Sequence, residues 1–223
     1  MKERLTQQTI ALRAVKELKD GDYVNLGVGI PNLCAMFIPP DKEVIFEAEQ
    51  GVLGYGTLVL DTEAEKVDFD YVDGGVVPFS PQPGLCFFDI DLSFDMIRGK
   101  HLDASIMGGL EVSEKGDLAN WTRGGAAVAG VGGAPDLAVG AKRVIILMEH
   151  TTKKDEPRIV KECKFPLTAK ECVNLVITDL AVIEVTEQGL LLKEVAPGWS
   201  VEEIQALTEP KLIVSKELKE MEL

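Results

Sequence analysis

The segment "FEAEQGVLGYG", residues 46–56, sets two carboxylates, Glu47 and Glu49, into an apolar run that ends in three glycines, Gly51, Gly54 and Gly56. Side chains alternate along a strand, so Glu47 and Glu49 share one face, and Phe46 and Ala48 the other. Glu49 stands where the run gives way to Gly51. A carboxylate at such an edge can attack a carbonyl if nearby N–H groups hold the oxyanion that forms. A pair of solvated glutamates at a strand end is the plainer alternative, and the residues alone leave both open.

Two further glycine clusters accompany this one. Gly27-Val28-Gly29 follows the apolar "YVNL", and "GGAAVAGVGGAP" covers 124–135. Glycine tolerates positive φ and lets a ligand approach the main chain, and bare N–H groups can cradle an anion. Neither cluster is a dinucleotide fingerprint: "GVGIPN" and "GVGGAP" both lack the last glycine of G-x-G-x-x-G, and there is no Walker A motif. Nicotinamide and ATP sites are poorly supported. No G-x-S-x-G elbow exists for a serine triad. The two histidines, His101 and His150, sit far apart, and His150 reads as hydrogen-bonded at a strand end. Asp89 and Asp91 read as helix caps rather than metal ligands. The four cysteines, Cys34, Cys86, Cys163 and Cys172, form no C-x-x-C pair, so no metal site is expected.

The elements that must position these groups follow from periodicity. Apolar residues at helical spacing predict a helix over 4–19, closed by Asp20-Gly21. A strand is predicted over Tyr23–Leu26, a helix from Pro31 through Phe37, and a strand over Phe46–Glu49. A helix near Asp91–Arg98, a strand near Ala104–Met107, and β-branched strands in "RVIILME" and "LVITDLAVIEVT" follow. "GLLLKEV" predicts a short strand, and Ser200 with Glu203 a capping box. The tail "SKELKEMEL" predicts a solvated helical end. Strands interleaved with helices indicate an α/β fold with a mainly parallel open sheet. Its 223 residues suit one domain spanning 1–223, and 46% hydrophobic content is that of a globular chain. The net charge of −14 argues against nucleic acid as a partner. The charged N-terminal pattern lacks the apolar core of a secretion signal, and no apolar run is long enough to span a bilayer. These features predict a cytoplasmic protein.

Four longer stretches carry a resemblance. "GDYVNLGVGIPNL", "EAEQGVLGYG", "FFDIDLSFDMIRGKHLDASIMGGLEVSEKGDLANW" and "GVGGAPDLAVGAKRVIILMEHTTKKDEPRIVKEC" together resemble the B subunit of family I coenzyme A transferases, of the 3-oxoacid or acetate–acetoacetate type. The resemblance runs nearly end to end. It implies the fold shared by phosphosugar isomerases and CoA transferases, and a separate A subunit as partner. It implies CoA exchange between an acyl-CoA and a carboxylic acid through a glutamyl-CoA thioester, with coenzyme A as substrate and no cofactor. On that resemblance Glu49 is the nucleophile. Asn25, Gly27 and Gly29 shape the pocket floor, Gln50 and Gly51 flank the nucleophile, and Gly130, Gly132 and Gly133 offer backbone contacts to the acyl or CoA moiety. Ala48 and Gln50 depart from the family's usual Ser and Asn, and Pro135 stands where it usually has Met. A phosphosugar isomerase or deaminase on a similar fold, and a non-catalytic metabolite sensor, are the alternatives.

Overall fold

The computed structural model describes residues 2–59, 67–125 and 130–223. Helix α1 (Gln7–Ala14) starts where the Thr6 side chain accepts from the Thr9 amide, and a 3-10 turn extends it through Glu17. Its buried residues are Ile10, Ala11 and Ala14, a helical i, i+1, i+4 stripe, together with Arg13. Gly21, at φ +82°, then turns the chain into strand β1 (Tyr23–Leu26), whose last three residues are all buried. A 3-10 helix over Pro31–Met36 replaces the expected α-helix and leads to β2 (Ile45–Ala48). The strand therefore stops one residue short of Glu49.

Strands β3 (Val52–Tyr55) and β4 (Cys86–Phe87) continue outward from β2. Helix α2 (Ile90–Arg98) crosses back to β5 (Ala104–Gly108) on the other side of β1. Asp89 holds the N-cap position of α2 without a side-chain capping bond, and Asp91 lies in the first turn. Next come β6 (Glu111–Ser113), β7 (Leu118–Ala119), α3 (Ala134–Gly140), β8 (Val144–Met148) and β9 (Ile159–Val160). The chain ends with β10 (Leu175–Thr178), β11 (Ala181–Thr186), β12 (Gly189–Val195), α4 (Val201–Ala206) and β13 (Ile213–Glu220). The large sheet has the order β13-β12-β11-β10-β8-β5-β1-β2-β3-β4, and β7-β6-β9 form a small second sheet. Pairing is parallel from β10 through β8, β5 and β1 to β2, and the strands flanking this block begin antiparallel. The block is buried on both faces, as parallel sheets require. One face carries Val24, Leu26, Phe46, Ile106 and Ile145 beneath α1; the other carries Met107, Val144 and Ile146 beneath α2 and α3. A methyl on Gly140 of α3 would overlap the Ile97 carbonyl of α2, so these helices touch backbone to backbone.

Two expectations are resolved differently. "LVITDLAVIEVT" is two antiparallel strands, turned where Thr178 Oγ1 accepts from the Leu180 and Ala181 amides. The tail is not a helix. Its residues form the edge strand β13, parallel to β12 from Leu191↔Ile213 to Val195↔Glu220, and Met221 is buried against the core. The Lys/Glu pattern that reads as helical is also what a protected edge strand carries. The helix α4 has both bonds of its capping box, Ser200 with Glu203. Among the described residues no helix is long and apolar enough to cross a membrane.

Candidate active site

Strand order reverses around β1, which lies between β2 and β5 although β3, β4 and α2 intervene in the chain. In open α/β sheets such a switch point opens a crevice at the carboxyl ends of the strands. Here those ends are Gly27 after β1, Glu49 after β2, and Gly108-Gly109 at the end of β5. All of them line one cavity of 460 Å³. Val28, Met107, Leu110 and Trp121 form apolar walls, and Asn25 and Asn120 add amides. Gly130, Gly132 and Gly133 close it ahead of α3. A larger cleft of 720 Å³ lies around Glu114, Lys115 and Gln188 and contains none of these groups.

Glu49 is half-buried at this cavity. Its Oε2 accepts from Asn25 Nδ2 at 3.3 Å. Two glycines fit around the side chain: a Cβ on Gly74 would lie 2.7 Å from Oε2, and one on Gly133 would lie 3.3 Å from Glu49 Cγ. Gly74 belongs to a loop held by Asp73, whose Oδ1 accepts from the Gly75 and Val77 amides at 2.8 and 2.9 Å. Burial raises the Asp73 pKa against those two bonds, with the Glu49 charge adding to it. Gln50 points away from the cavity and donates to the Val72 carbonyl at 2.9 Å, tying this loop to β2.

Glu47 lies on the same face one pleat deeper and is completely buried. Parallel register sets it beside Asn25, which pairs on its other side with Ser105. Asn25 Nδ2 donates to Glu47 Oε2 at 2.8 Å, and Ser93 Oγ of α2 donates to Oε1 at 2.6 Å. Burial pushes the Glu47 pKa up to about 7 against these two bonds, with a smaller push from the Glu49 charge. The carboxylates thus differ in kind: Glu49 opens onto a cavity, and Glu47 is enclosed in a polar row.

Of the residues singled out in the sequence, Asn25, Gly27, Glu49, Gly130, Gly132 and Gly133 meet at this cavity. Gly29 (φ +92°) is exposed in the turn beside it, and Val28 lines the wall instead. Gly51 is buried in the β2–β3 turn at φ +111°, against the Phe88 carbonyl. Residues 126–129 of the third glycine cluster lie outside the described residues. Sequence reading passed over Asp73, Gly74, Ser93 and Trp121; the Asp-Gly-Gly of "YVDGGV" was the available turn signal. His150 is buried between Thr178 and Thr208, each Oγ1 2.9 Å from a ring nitrogen, and burial lowers its pKa to about 4. His101 is exposed. Among the described residues no group of three or more His, Cys, Asp or Glu could hold a metal ion.

The sequence profile described as "Coenzyme A transferase" matches residues 7–207. The chain belongs to the coenzyme A transferase family. A mouse member, succinyl-CoA:3-ketoacid coenzyme A transferase 2B, mitochondrial, is 46% identical over 215 residues, which are 96% of this chain and 41% of the mouse protein. This chain therefore spans about two fifths of that relative's length. The B subunit of the 3-oxoadipate CoA-transferase of Acinetobacter baylyi is 42% identical over 211 residues, covering 94% of this chain and 96% of that one. The acyl-CoA transferase YdiF of Escherichia coli O157:H7 superposes with a TM-score of 0.77 at 22% identity, over 100% of this chain and 44% of YdiF. That likeness establishes the fold: a coenzyme A transferase α/β unit.

Proposed function

We propose that this chain is the B-type half of a coenzyme A transferase, active with a separate A-type chain, and that Glu49 is its nucleophile. The observation that carries the reading is the placement of Glu49. Its carboxylate is half-buried, bonded by Asn25, and opens at the switch point into a cavity walled by six glycines. Glu47 is enclosed and lines no part of that cavity.

The reaction balances without a cofactor. The Glu49 carboxylate attacks the thioester carbonyl of an acyl-CoA, the C–S bond breaks, and a mixed anhydride and a CoA thiolate result. The thiolate attacks the glutamyl carbonyl, the acyl group leaves as a carboxylate, and Glu49 carries CoA as a thioester. A second acid runs the steps in reverse. Acyl activation is conserved throughout, so no ATP is needed. Glycine at the wall lets the thioester and its oxyanion crowd Glu49, and the apolar side chains exclude water that would hydrolyse either intermediate. The mouse relative is named for a 3-ketoacid and the Acinetobacter relative for 3-oxoadipate. This supports 3-oxo acids and their CoA esters as the substrate class. The A-type chain supplies the rest of the CoA cradle, which suits a chain of net charge −14 facing a polyanionic substrate.

The test is a half-reaction. Co-expressed with its A-type chain and given acetoacetyl-CoA without acceptor acid, the enzyme should release one equivalent of acetoacetate per site. Glu49→Ala should release none. Turnover by Glu49→Ala would overturn the assignment.

A further inference from the structure

The proposed chemistry leaves one buried titratable group at the site without a task. Glu47 has two side-chain partners, Asn25 and Ser93, and no cation faces it among the described residues. The titratable groups around it are Glu49 on the same chain segment and Tyr55 of β3, both anionic when ionised. Strand β1 presents Asn25 and helix α2 presents Ser93, neither of them charged. Asn25 Nδ2 is the link. It holds Glu47 Oε2 at 2.8 Å and Glu49 Oε2 at 3.3 Å, so one nitrogen serves both carboxylates. The same nitrogen also lies 3.3 Å from the Glu47 main-chain carbonyl, and the Asn25 Oδ1 is buried with no partner.

Through this shared amide the Glu49 charge adds a small push to the burial that raises the Glu47 pKa. The charge on Glu49, however, is not constant through the reaction just proposed. It disappears when the carboxylate becomes an anhydride or a thioester. We propose that CoA loading of Glu49 releases a proton from Glu47, which acts as a positioning residue through the Asn25 amide. The inference rests on Glu49 being the nucleophile. In the resting site Glu47, raised to about 7 chiefly by burial, keeps its proton at and below neutral pH. In the loaded site Glu49 is a neutral thioester, Asn25 Nδ2 turns wholly to Glu47, and Glu47 is the anion. The bonds to carbon are those of the CoA exchange, and the one added event is a proton passing from Glu47 to solvent. The Ser93 hydroxyl can donate to the carboxylate or accept from the acid, so both states are satisfied without rearrangement. The Glu47 pKa of about 7 sets the exchange in the neutral range.

The consequence is a pH-dependent loading equilibrium in a reaction that otherwise consumes no protons. The assembled enzyme is equilibrated with a fixed ratio of acetoacetyl-CoA to acetoacetate across about pH 6 to 8, and loaded and free chains are counted by intact mass. For a one-unit fall in the Glu47 pKa on loading, the loaded-to-free ratio should rise about fivefold over this range. Weakly buffered enzyme at about pH 7 should release protons with the same time course. Glu47→Gln, which keeps the shape of the protonated side chain, should still load but with a flat ratio and no proton release. Should that variant fail to fold, Ser93→Ala serves. Losing its hydroxyl raises the Glu47 pKa, and the rise in loading should move to higher pH. Parallel profiles for wild type and Glu47→Gln, with Glu49 loaded in both, would overturn the coupling and leave the nucleophile standing. No thioester on Glu49 at any pH would remove both.

Discussion

Gly74 offers the sharpest probe of where the Glu49 carboxylate sits. Its φ is not in the left-handed region, so alanine suits the backbone. The added Cβ would fall 2.7 Å from Glu49 Oε2, where ordinary contact begins near 3.4 Å. The carboxylate must then retreat by about 0.7 Å, and misplacement of about 1 Å costs on the order of 10²-fold in rate. Retreat also stretches the 3.3 Å bond from Asn25. The atom displaced is the free end of a flexible side chain, so the stability cost should stay below about 1 kcal/mol, or roughly 2–4 °C in melting temperature for a chain of this size. Gly74→Ala should therefore lower the rate of Glu49 loading, followed by stopped flow or quenched mass spectrometry, by about 10²-fold with near-normal thermal stability. Loading at the wild-type rate would refute the placement. A large loss of stability would show that the methyl meets the backbone rather than the carboxylate.

Other sites give separate expectations. Gly51→Ala combines a φ of +111° with overlap onto the Phe88 carbonyl. It should cost more than about 3 kcal/mol, read by thermal melting, because neither clash can relax through a side chain. Arg13 and Glu194 form a bidentate pair, at 2.7 and 2.9 Å, that is buried on both sides. Arg13→Met should cost about 3–5 kcal/mol, because it leaves buried Glu194 with only Lys219 at 3.9 Å and takes one partner from Glu17, and adding Glu194→Leu should recover part of it in urea unfolding. His150 and Glu47 have opposite pH signatures. His150, at about 4, binds its proton more weakly folded than unfolded, so its contribution falls as pH drops through 6.5. Glu47, at about 7, holds its proton more tightly folded, so its contribution rises as pH drops from 7 toward 4.5. Between 4.5 and 6.5 the two oppose each other. Relative to wild type, His150→Asn and Glu47→Gln should tilt the stability profile in opposite directions, each by about 1.4 kcal/mol per pH unit at most. Parallel profiles would contradict the assignment.

How much of this was legible in the sequence depended on whether a signal was local. Strand Tyr23–Leu26 and the Ser200–Glu203 capping box were found because apolar runs and cap spacing act within a few residues. The tail was misread because alternating Lys and Glu suit both a solvated helix and a charged sheet edge, and only the open flank of β12 decides between them. Glu49, Gly27 and Gly133 could be singled out as carboxylate and turns. Their meeting at one crevice follows from the reversal of strand order around β1, a long-range property. Ser93 and Gly74 reach the acidic pair from α2 and from the 71–78 loop, and nothing in their local sequence points to Glu47 or Glu49. Alternation puts Glu47 and Glu49 on one face, so only the family resemblance, with Glu49 directly before Gln50-Gly51, favoured Glu49 at the sequence level. Depth separates them: Glu47 is enclosed by Asn25 and Ser93, and Glu49 stands one step beyond the strand at the cavity.

The most direct test is covalent. The assembled enzyme is treated with acetoacetyl-CoA in the absence of acceptor acid, reduced with borohydride, digested and mapped by mass. The account predicts that Glu49 alone is reduced to the alcohol, that the change requires acyl-CoA, and that it is absent from Glu49→Ala. An unmodified Glu49 in an enzyme that still turns over acyl-CoA, or a modification at Glu47, would contradict it.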